Sequence, residues 1–457
     1  MTKYFFGSRL AYLFKNELTN RELLFYNKLI ICIYFILLNY KMTYNGSVET
    51  MYLDPVSFVP NQRCAFELDG TKLAYGSNMR LLNLGVVSNT AQDYSQGLGA
   101  MALIRNIRLM DARTELSGIR NVAPYMFFKN CNRTNATNKS EDSYLKRNQL
   151  GFEIAADDNK VSHTYSPGRA NTTPETTELA YLDLREVFPI LNELDLLPTS
   201  VFKNLRIEIE FDGKASNQIL GETDATFDIQ RPILAVDVQS NPVAVQTAVE
   251  QIMSEPIMWQ DIEQDNYTMN AVDTSLFAVA ETATQTAVNQ SLGFKGKFVE
   301  RLLITKQIQN KLLERNGASV LGFGALASSQ AILNEKVQIN LNGNPILPGF
   351  QGMTKPNEIL GMLSDEWGSI NAYPGSNLYE WSNTGANLDD ANTGGQQSFI
   401  CVRLGARVAQ LQTSISRTNN RDTSAKAATN AALNINLYGE VSKMLNVTKS
   451  GYRVVYA

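Results

Sequence analysis

The chain has 457 residues, 44% of them hydrophobic and 19% charged, with 41 basic against 45 acidic side chains and a net charge of −4. This length suits two or three domains with a sizeable core, and no basic block exceeds the pair Lys146 and Arg147, which argues against direct electrostatic binding to nucleic acid. The single histidine, His163, removes most zinc sites and most nucleophile–histidine catalysis, and the scattered Cys32, Cys64, Cys131 and Cys401 read as free thiols from a reducing place of assembly.

Residues 1–41 do not resemble the rest of the chain. The apolar run 29–38, LIICIYFILL, is short for a spanning helix, which needs about 20 mostly apolar residues. Two readings stay open: a start placed too early, with translation beginning at Met42, and a membrane-associated segment.

From Tyr52 onward strands arrive at short intervals. Residues 64–68, 79–84 and 102–110 read as strands, the last with Met101, Leu103, Ile107 and Leu109 on one face. Residues 114–122 are expected to form a short helix that ends before Pro124, and the aromatic stretch 125–128 reads as strand. Residues 130–148 and 157–178 are polar and read as long surface loops. Asn132, Asn135 and Asn138 lie there in glycosylation triplets of the kind an Asn/Thr-rich chain produces by chance.

Residues 182–211 carry the clearest local code. Leu184, Val187, Phe188, Leu191 and Leu194 recur at helical spacing, Asp183 with Glu186 has the form of a capping box, and Pro189 splits the segment into two short helical pieces ended by Pro198. In the next strand, Leu205, Ile207, Ile209 and Phe211 alternate with Arg206, Glu208, Glu210 and Asp212. A slip of one residue would bury an arginine and carboxylates, so the register is pinned, with the charged face expected to point away from the core.

After the strand 229–238 the pattern relaxes around 240–247 and then restarts. Residues 256–262, 276–280 and 296–304 are strand candidates, and 308–315 and 357–363 read as helical. Val337, Ile339 and Leu341 alternate before Asn342 and Gly343, which predict a tight hairpin with both central residues at positive φ. Residues 383–397 form another polar loop, and strands at 399–404, 408–415, 432–438 and 452–456 close the chain. The order of parts recurs between the halves, each about the size of one sandwich.

Candidate sites all have a plainer reading. The run from Gly322 through Gly324 to Ala327 lacks the strand–helix unit of a dinucleotide loop and reads as a turn. Asp157, Asp158, Asp389 and Asp390 read as solvated loop acids rather than cation ligands or glycosidase carboxylates. Trp367, flanked by Asp365 and Glu366, either stacks on a sugar or anchors a loop. No residue is assigned a catalytic, cofactor-binding or metal role, and no enzyme is expected.

The run from Gly99 to Asp111, followed by Phe127, Phe128, Lys129 and Asn130, the element 182–211, and the stretch from Ile339 through Pro348 to Asp365, Glu366, Trp367 and Gly368 together resemble double jelly-roll major capsid proteins. They look most like those of virophages and polinton-like DNA viruses, relatives of the adenovirus hexon. The resemblance implies an all-β fold of two antiparallel eight-stranded jelly-roll sandwiches in tandem, at 42–245 and 246–457, after an N-terminal segment 1–41 with no counterpart. It also implies a subunit of the virion that trimerises into pseudo-hexagonal capsomers tiling an icosahedral shell. Partners would be further copies of itself, minor capsid or penton proteins and an internal viral membrane, with no direct nucleic acid binding. Two alternatives remain: a minor vertex capsid protein, and a carbohydrate-binding or adhesive sandwich using Trp367, Trp381 and the Asn-rich loops. A glycosidase comes third.

Overall fold

The computed structural model describes residues 48–70, 72–84, 86–88, 103–131, 180–211, 227–269, 284–289, 293–308, 320–321, 334–347, 400–418, 433–448 and 451–457. The first half opens with β1 (Val48–Leu53), β2 (Ser57–Val59), β3 (Arg63–Leu68), β4 (Ala74–Leu84) and β5 (Val86–Ser88). Then come β6 (Ile104–Asp111), β7 (Thr114–Arg120) and helix α1 (Val122–Cys131). It continues with β8 (Ala180–Asp183), a 3-10 turn Leu184–Glu186, α2 (Ile190–Glu193), β9 (Leu196–Pro198), β10 (Leu205–Phe211), β11 (Phe227–Ile229) and β12 (Ile233–Gln239). Helix α3 (Pro242–Ser254) leads into the second half. There β13 (Ile257–Met269), β14 (Thr284–Asn289), β15 (Phe298–Ile308), β16 (Val320–Leu321), β17 (Asn334–Leu341) and β18 (Asn344–Pro345) precede β19 (Ile400–Arg407), β20 (Leu411–Thr418), β21 (Leu433–Thr448) and β22 (Gly451–Tyr456).

Every pairing among these strands is antiparallel. One sheet of the first half runs β1-β12-β4-β8, with β9 pairing the start of β4, and the other runs β3-β10-β6-β7 with β2 added at its edge. The second half repeats this as β13-β21-β15-β19 and β14-β20-β17-β18. If the eight principal strands of each half are counted along the chain, one sheet reads first, eighth, third, sixth and the other second, seventh, fourth, fifth, in both halves. That order is the jelly roll: apart from the fourth and fifth, which pair as a hairpin, successive strands alternate between facing sheets, so neither sheet can form from a contiguous piece of chain. The fold is all-β, two antiparallel eight-stranded jelly-roll sandwiches in tandem.

The element 182–211 follows its sequence in outline, but its second helical piece stops at Glu193 rather than at Pro198, residues 196–198 form β9, and Glu186 turns to Lys129 instead of completing a capping box. Asp183 caps the 3-10 turn, its carboxylate accepting from the Arg185 N–H at 3.0 Å, while Glu186 pairs with Lys129 of α1 at 3.1 Å. Pro189 stands as N-cap of α2 and divides the two pieces. In β10 Leu205, Ile207, Ile209 and Phe211 are buried, while Arg206, Glu208 and Glu210 point outward and pair with side chains of the flanking strands. Arg108 holds Glu208 at 2.8 Å, Arg206 reaches Glu208 at 3.1 Å and Glu67 at 3.5 Å, and Glu210 accepts from Asn106. Asp212 lies outside the described residues.

The expected helix at 114–122 is a strand. Residues 112 and 113 form a two-residue turn between Asp111 and Thr114, with Ala112 at φ 53°, so the chain doubles back and β7 pairs with β6. No Asn or Gly advertises that turn, and the pairing partner overrides the local pattern. The expected strand at 125–128 lies inside α1, because Pro124 sits in the first helical turn, where its missing N–H costs nothing. Helix α3 was hidden in the relaxed stretch 240–247, although Asn241 as N-cap, accepting from the Val243 N–H at 3.0 Å, and Pro242 at the first position are start signals. The expected domain boundary at 245/246 falls within this helix. The last sandwich's closing strand runs to Thr448 rather than Tyr438, since β13 pairs with it over all its 13 residues and shelters its polar positions. The candidates at 276–280, 308–315 and 357–363 lie outside the described residues, apart from Ile308, which ends β15.

Asn342 and Gly343 do close the β17–β18 hairpin, at φ 53° and 87°. A Cβ on Gly343 would meet nothing within 4 Å, so its requirement is purely conformational. Gly439 in β21 is the opposite case: its φ is ordinary, but an added Cβ would stand 2.5 Å from the Phe294 ring.

Urea denaturation should separate these effects. Ile207→Ala, at a site 0% exposed, is expected to cost about 2–5 kcal/mol, and Glu208→Ala on the outer face of the same strand less than about 1 kcal/mol. Gly343→Ala is expected to cost about 1–2 kcal/mol through backbone strain, and Gly439→Ala about 1–3 kcal/mol through overpacking; adding Phe294→Leu should relieve only the second.

Candidate functional site

Most residues weighed from sequence as candidate sites lie outside the described residues: His163, Asp157, Asp158, Asp365, Glu366, Trp367, Trp381, Asp389, Asp390, the segment 322–327 and the three glycosylation triplets. In the aromatic stretch 125–128, Tyr125 and Met126 are buried in α1 and serve the core. Cys64 and Cys401 are buried, and burial pushes the Cys64 thiol up to about 12 despite the charge of Arg231. Among the described residues there is no cluster of His, Cys, Asp and Glu that could hold a metal ion, and no helix long and apolar enough to cross a membrane. An open hollow of about 550 Å³ lies over the outer face of β3, β10 and β6, but Glu208 and Glu210 in its lining are already engaged by Arg108, Arg206 and Asn106. It offers no free acid and base at a common point.

What the fold does assemble is a seam between the two sandwiches. At one place Tyr438 of β21 packs its ring 5.5 Å from that of Tyr125 in α1, and its hydroxyl donates to the Asn121 carbonyl at 2.8 Å. Asn121 sits at positive φ (47°) on the corner between β7 and α1. Its side-chain amide donates to Asn436 Oδ1 at 3.2 Å, and the same oxygen accepts from Asn434 at 2.8 Å and Gln264 at 3.3 Å. Tyr125 is held well above the ordinary tyrosine range, first by burial and then by the negative charge of Glu440.

At a second place the contact is ionic. Ser117 of β7 donates to Asp261 Oδ1 of β13 at 2.5 Å, and Lys443 of β21 donates to the other carboxylate oxygen at 2.6 Å. The Lys443 and Asp261 side chains are 8% and 1% exposed. Lys443 also lies 3.5 Å from Glu263, which Lys297 engages in turn, and the Tyr456 ring covers both ammonium groups. Burial works to lower the Lys443 pKa, but the charge and hydrogen bond of Asp261 and the charge of Glu263 outweigh it and leave it above the ordinary lysine value. Burial likewise works to raise Glu263, and is outweighed by the hydrogen bond from Lys297 and the charge of Lys443, so Glu263 stays below its usual value. For Asp261 burial prevails and lifts its carboxyl.

At a third place the C-terminal strand reaches across. Tyr452 of β22 donates to Asp111 Oδ2 at 2.7 Å and packs its ring 5.4 Å from Phe202, while Asp111 Oδ1 accepts the Asn204 N–H at 2.7 Å. Burial and the bonded Asp111 carboxylate hold the Tyr452 phenol far above its ordinary value. The apolar core is correspondingly continuous, one cluster running through both sandwiches. Sequence reasoning did not foresee this seam. The only trace was the row Trp259, Asp261, Glu263 and Asp265 on one side of β13, which looks like an ordinary solvated face until a lysine is found buried against it.

No family model and no curated protein matches the chain. Comparison with solved structures finds the Faustovirus major capsid protein, at 9% identity and a TM-score of 0.50 over 88% of this chain and 90% of that one. The chain has the fold of a viral major capsid protein. Also similar are the mavirus major capsid protein, at 12% identity and a TM-score of 0.49 over 89% of this chain and 90% of that one, and the PBCV-1 virus capsid, at 11% and 0.48 over 90% and 97%. At 9% identity the likeness to the Faustovirus protein speaks to the fold alone.

The seam makes a mechanical prediction. Lys443→Met leaves Asp261 buried without its cation and is expected to cost about 3–5 kcal/mol, whereas Lys443→Met with Asp261→Leu should recover most of it. Since the Lys443 pKa is raised on folding, its stabilisation is fully present below the ordinary lysine value of 10.5 and is lost as pH rises through the higher folded value. Denaturation at a series of alkaline pH values should show a smaller loss in the Lys443→Met variant than in the parent chain, since the raised Cys64, Tyr125 and Tyr452 contribute to both.

Proposed function

We propose that the chain is a major capsid protein, a structural subunit rather than an enzyme, which trimerises into pseudo-hexagonal capsomers that tile an icosahedral virion shell. The observation that carries this reading is the pair of jelly rolls with the same strand order, fastened by a buried seam into one block. A subunit with two equivalent sandwiches presents six in a trimer, so threefold symmetry yields a nearly sixfold outline suited to close packing on a surface. A shell subunit also needs its two halves held at a set angle, and a buried ion pair with bridging tyrosines resists hinge motion far better than a solvated linker.

In this reading the two units correspond to 42–245 and 246–457, the boundary between them lying within α3, which links the sandwiches. The partners are other copies of the chain, first within the trimer and then between capsomers, followed by minor capsid or penton proteins and an internal viral membrane. Nucleic acid is not a partner, in keeping with a net charge of −4. The place of action is the virion.

Sedimentation velocity of the purified chain at micromolar concentration tests the reading. The expected species has three times the chain mass of 50.8 kDa, and a stable monomer with no larger assembly would overturn it.

A further inference from the structure

Two sheet edges meet in the seam. Strand β7 ends one sheet of the first sandwich, β13 begins a sheet of the second, and they lie side by side. Ser117 bonds Asp261, and further along Asn121 bonds the Asn436 oxygen that also accepts from Gln264, so β7 and β13 run in the same direction. Among the described residues no backbone hydrogen bond joins the two strands, and side chains hold the edges together. In the count of eight, β7 is the fifth strand of the first sandwich and β13 the first strand of the second.

The chain contains one more edge of each kind. The fifth strand of the second sandwich is β18, which follows β17 through a two-residue turn just as β7 follows β6, with Ala112 and Asn342 both at φ 53°. The first strand of the first sandwich is β1. Among the described residues each of the two pairs along one side only. Their side chains are open where those of the seam are covered. Trp259, Asp261 and Ile262 of β13 are buried, whereas Val48, Met51 and Tyr52 of β1 are exposed, Tyr52 by 68%. Met51 stands opposite the core residue Val236, so even an interior-facing position is left open at this edge. Asn344 and Pro345 of β18 are exposed as well.

We propose that β1 is the docking edge for a second copy of the chain, and that it receives β18 of that copy side by side and in the same direction, as β13 receives β7 within the chain. This rests on the capsid reading and deepens it by naming the surfaces through which the trimer closes. Six sandwiches around one axis make six junctions, three within chains and three between them, and one kind of step serves all six when a fifth strand meets a first strand at each. Such a contact uses different surfaces on the two copies and closes by rotation. Pro345 suits it, because proline has no N–H for a ladder and belongs on an edge, and the junction within the chain uses no ladder either. Covering β1 also removes an open apolar edge that would otherwise template the addition of a foreign strand.

Sedimentation and cross-linking of the full chain test this. Tyr52→Glu puts a carboxylate into the docking edge and should raise the concentration at which trimers dissociate by about tenfold or more. Val243→Glu, at an equally open site on α3, should leave it unchanged. A trimer as stable in Tyr52→Glu as in the parent chain, or equal loss in both variants, would overturn the docking edge and leave the capsid reading standing; a monomeric parent chain would overturn both. Cross-linking reads the direction. Ser117 is the fourth residue of β7 and Asp261 the fifth of β13, so the paired strands start nearly level. A short bismaleimide should therefore bridge Val48→Cys to Asn344→Cys between chains several-fold faster than Tyr52→Cys to Asn344→Cys, with products ending at three linked chains and the parent chain as blank for its own cysteines. Equal rates for the two pairs, or bridging confined to single chains, would count decisively against it.

Discussion

A lysine ammonium and an aspartate carboxylate taken out of water together are costly, several kcal/mol for each ion before their attraction is counted. Lys443 and Asp261 accept that cost at the place where the two sandwiches meet, and the geometry offsets it: two short hydrogen bonds to one carboxylate, one from each half of the chain. The arrangement works only when Ser117, Asp261 and Lys443 arrive together, which requires β7 of the first sandwich to lie against β13 and β21 of the second. A hydrophobic contact tolerates sliding. A buried carboxylate with fixed donors does not, so the relative placement of the halves is specified as sharply as the register of a strand.

The remaining seam contacts extend the same constraint over a wider area. Tyr438 and Tyr452 each bury a ring against the first sandwich and commit their hydroxyl to it, one to a backbone carbonyl and one to Asp111. They come from β21 and its partner β22, so the first sandwich is gripped by the last two strands of the second. Because each jelly-roll sheet joins strands from both ends of its half, the first and last strands of a sandwich are neighbours. This explains how β13 and β21, 164 residues apart at Met269 and Leu433, supply the two sides of one ionic site.

Within single elements much was legible. Strand β10 alternates so strictly that only one register keeps its charges out of the core, and the turn at Asn342 and Gly343 needs positive φ that few other residues supply. Local reading failed where a partner rather than the segment decides the conformation. Residues 114–120 have a mixed pattern that becomes a strand because Ala112 adopts an unadvertised turn and β6 offers an edge. The end of β21 contains Gly439, Glu440 and Lys443, which look like the close of a strand until β13 pairs with them all along.

The seam was not legible at all, and the reason is physical. Asp261, Glu263 and Lys443 have the same side chains as any solvated residues, and nothing in a linear pattern says that a face will be covered by another domain. The amino-acid sequence by itself determined strands such as β10 with their inward and outward faces, the tight turn at Asn342 and Gly343 and the all-β character of the chain, because these depend on periodicity and on local backbone preference. Only the tertiary structure decided that two sandwiches become one block, because that depends on which charges lose their water, and they lose it only when residues more than a hundred positions apart come together.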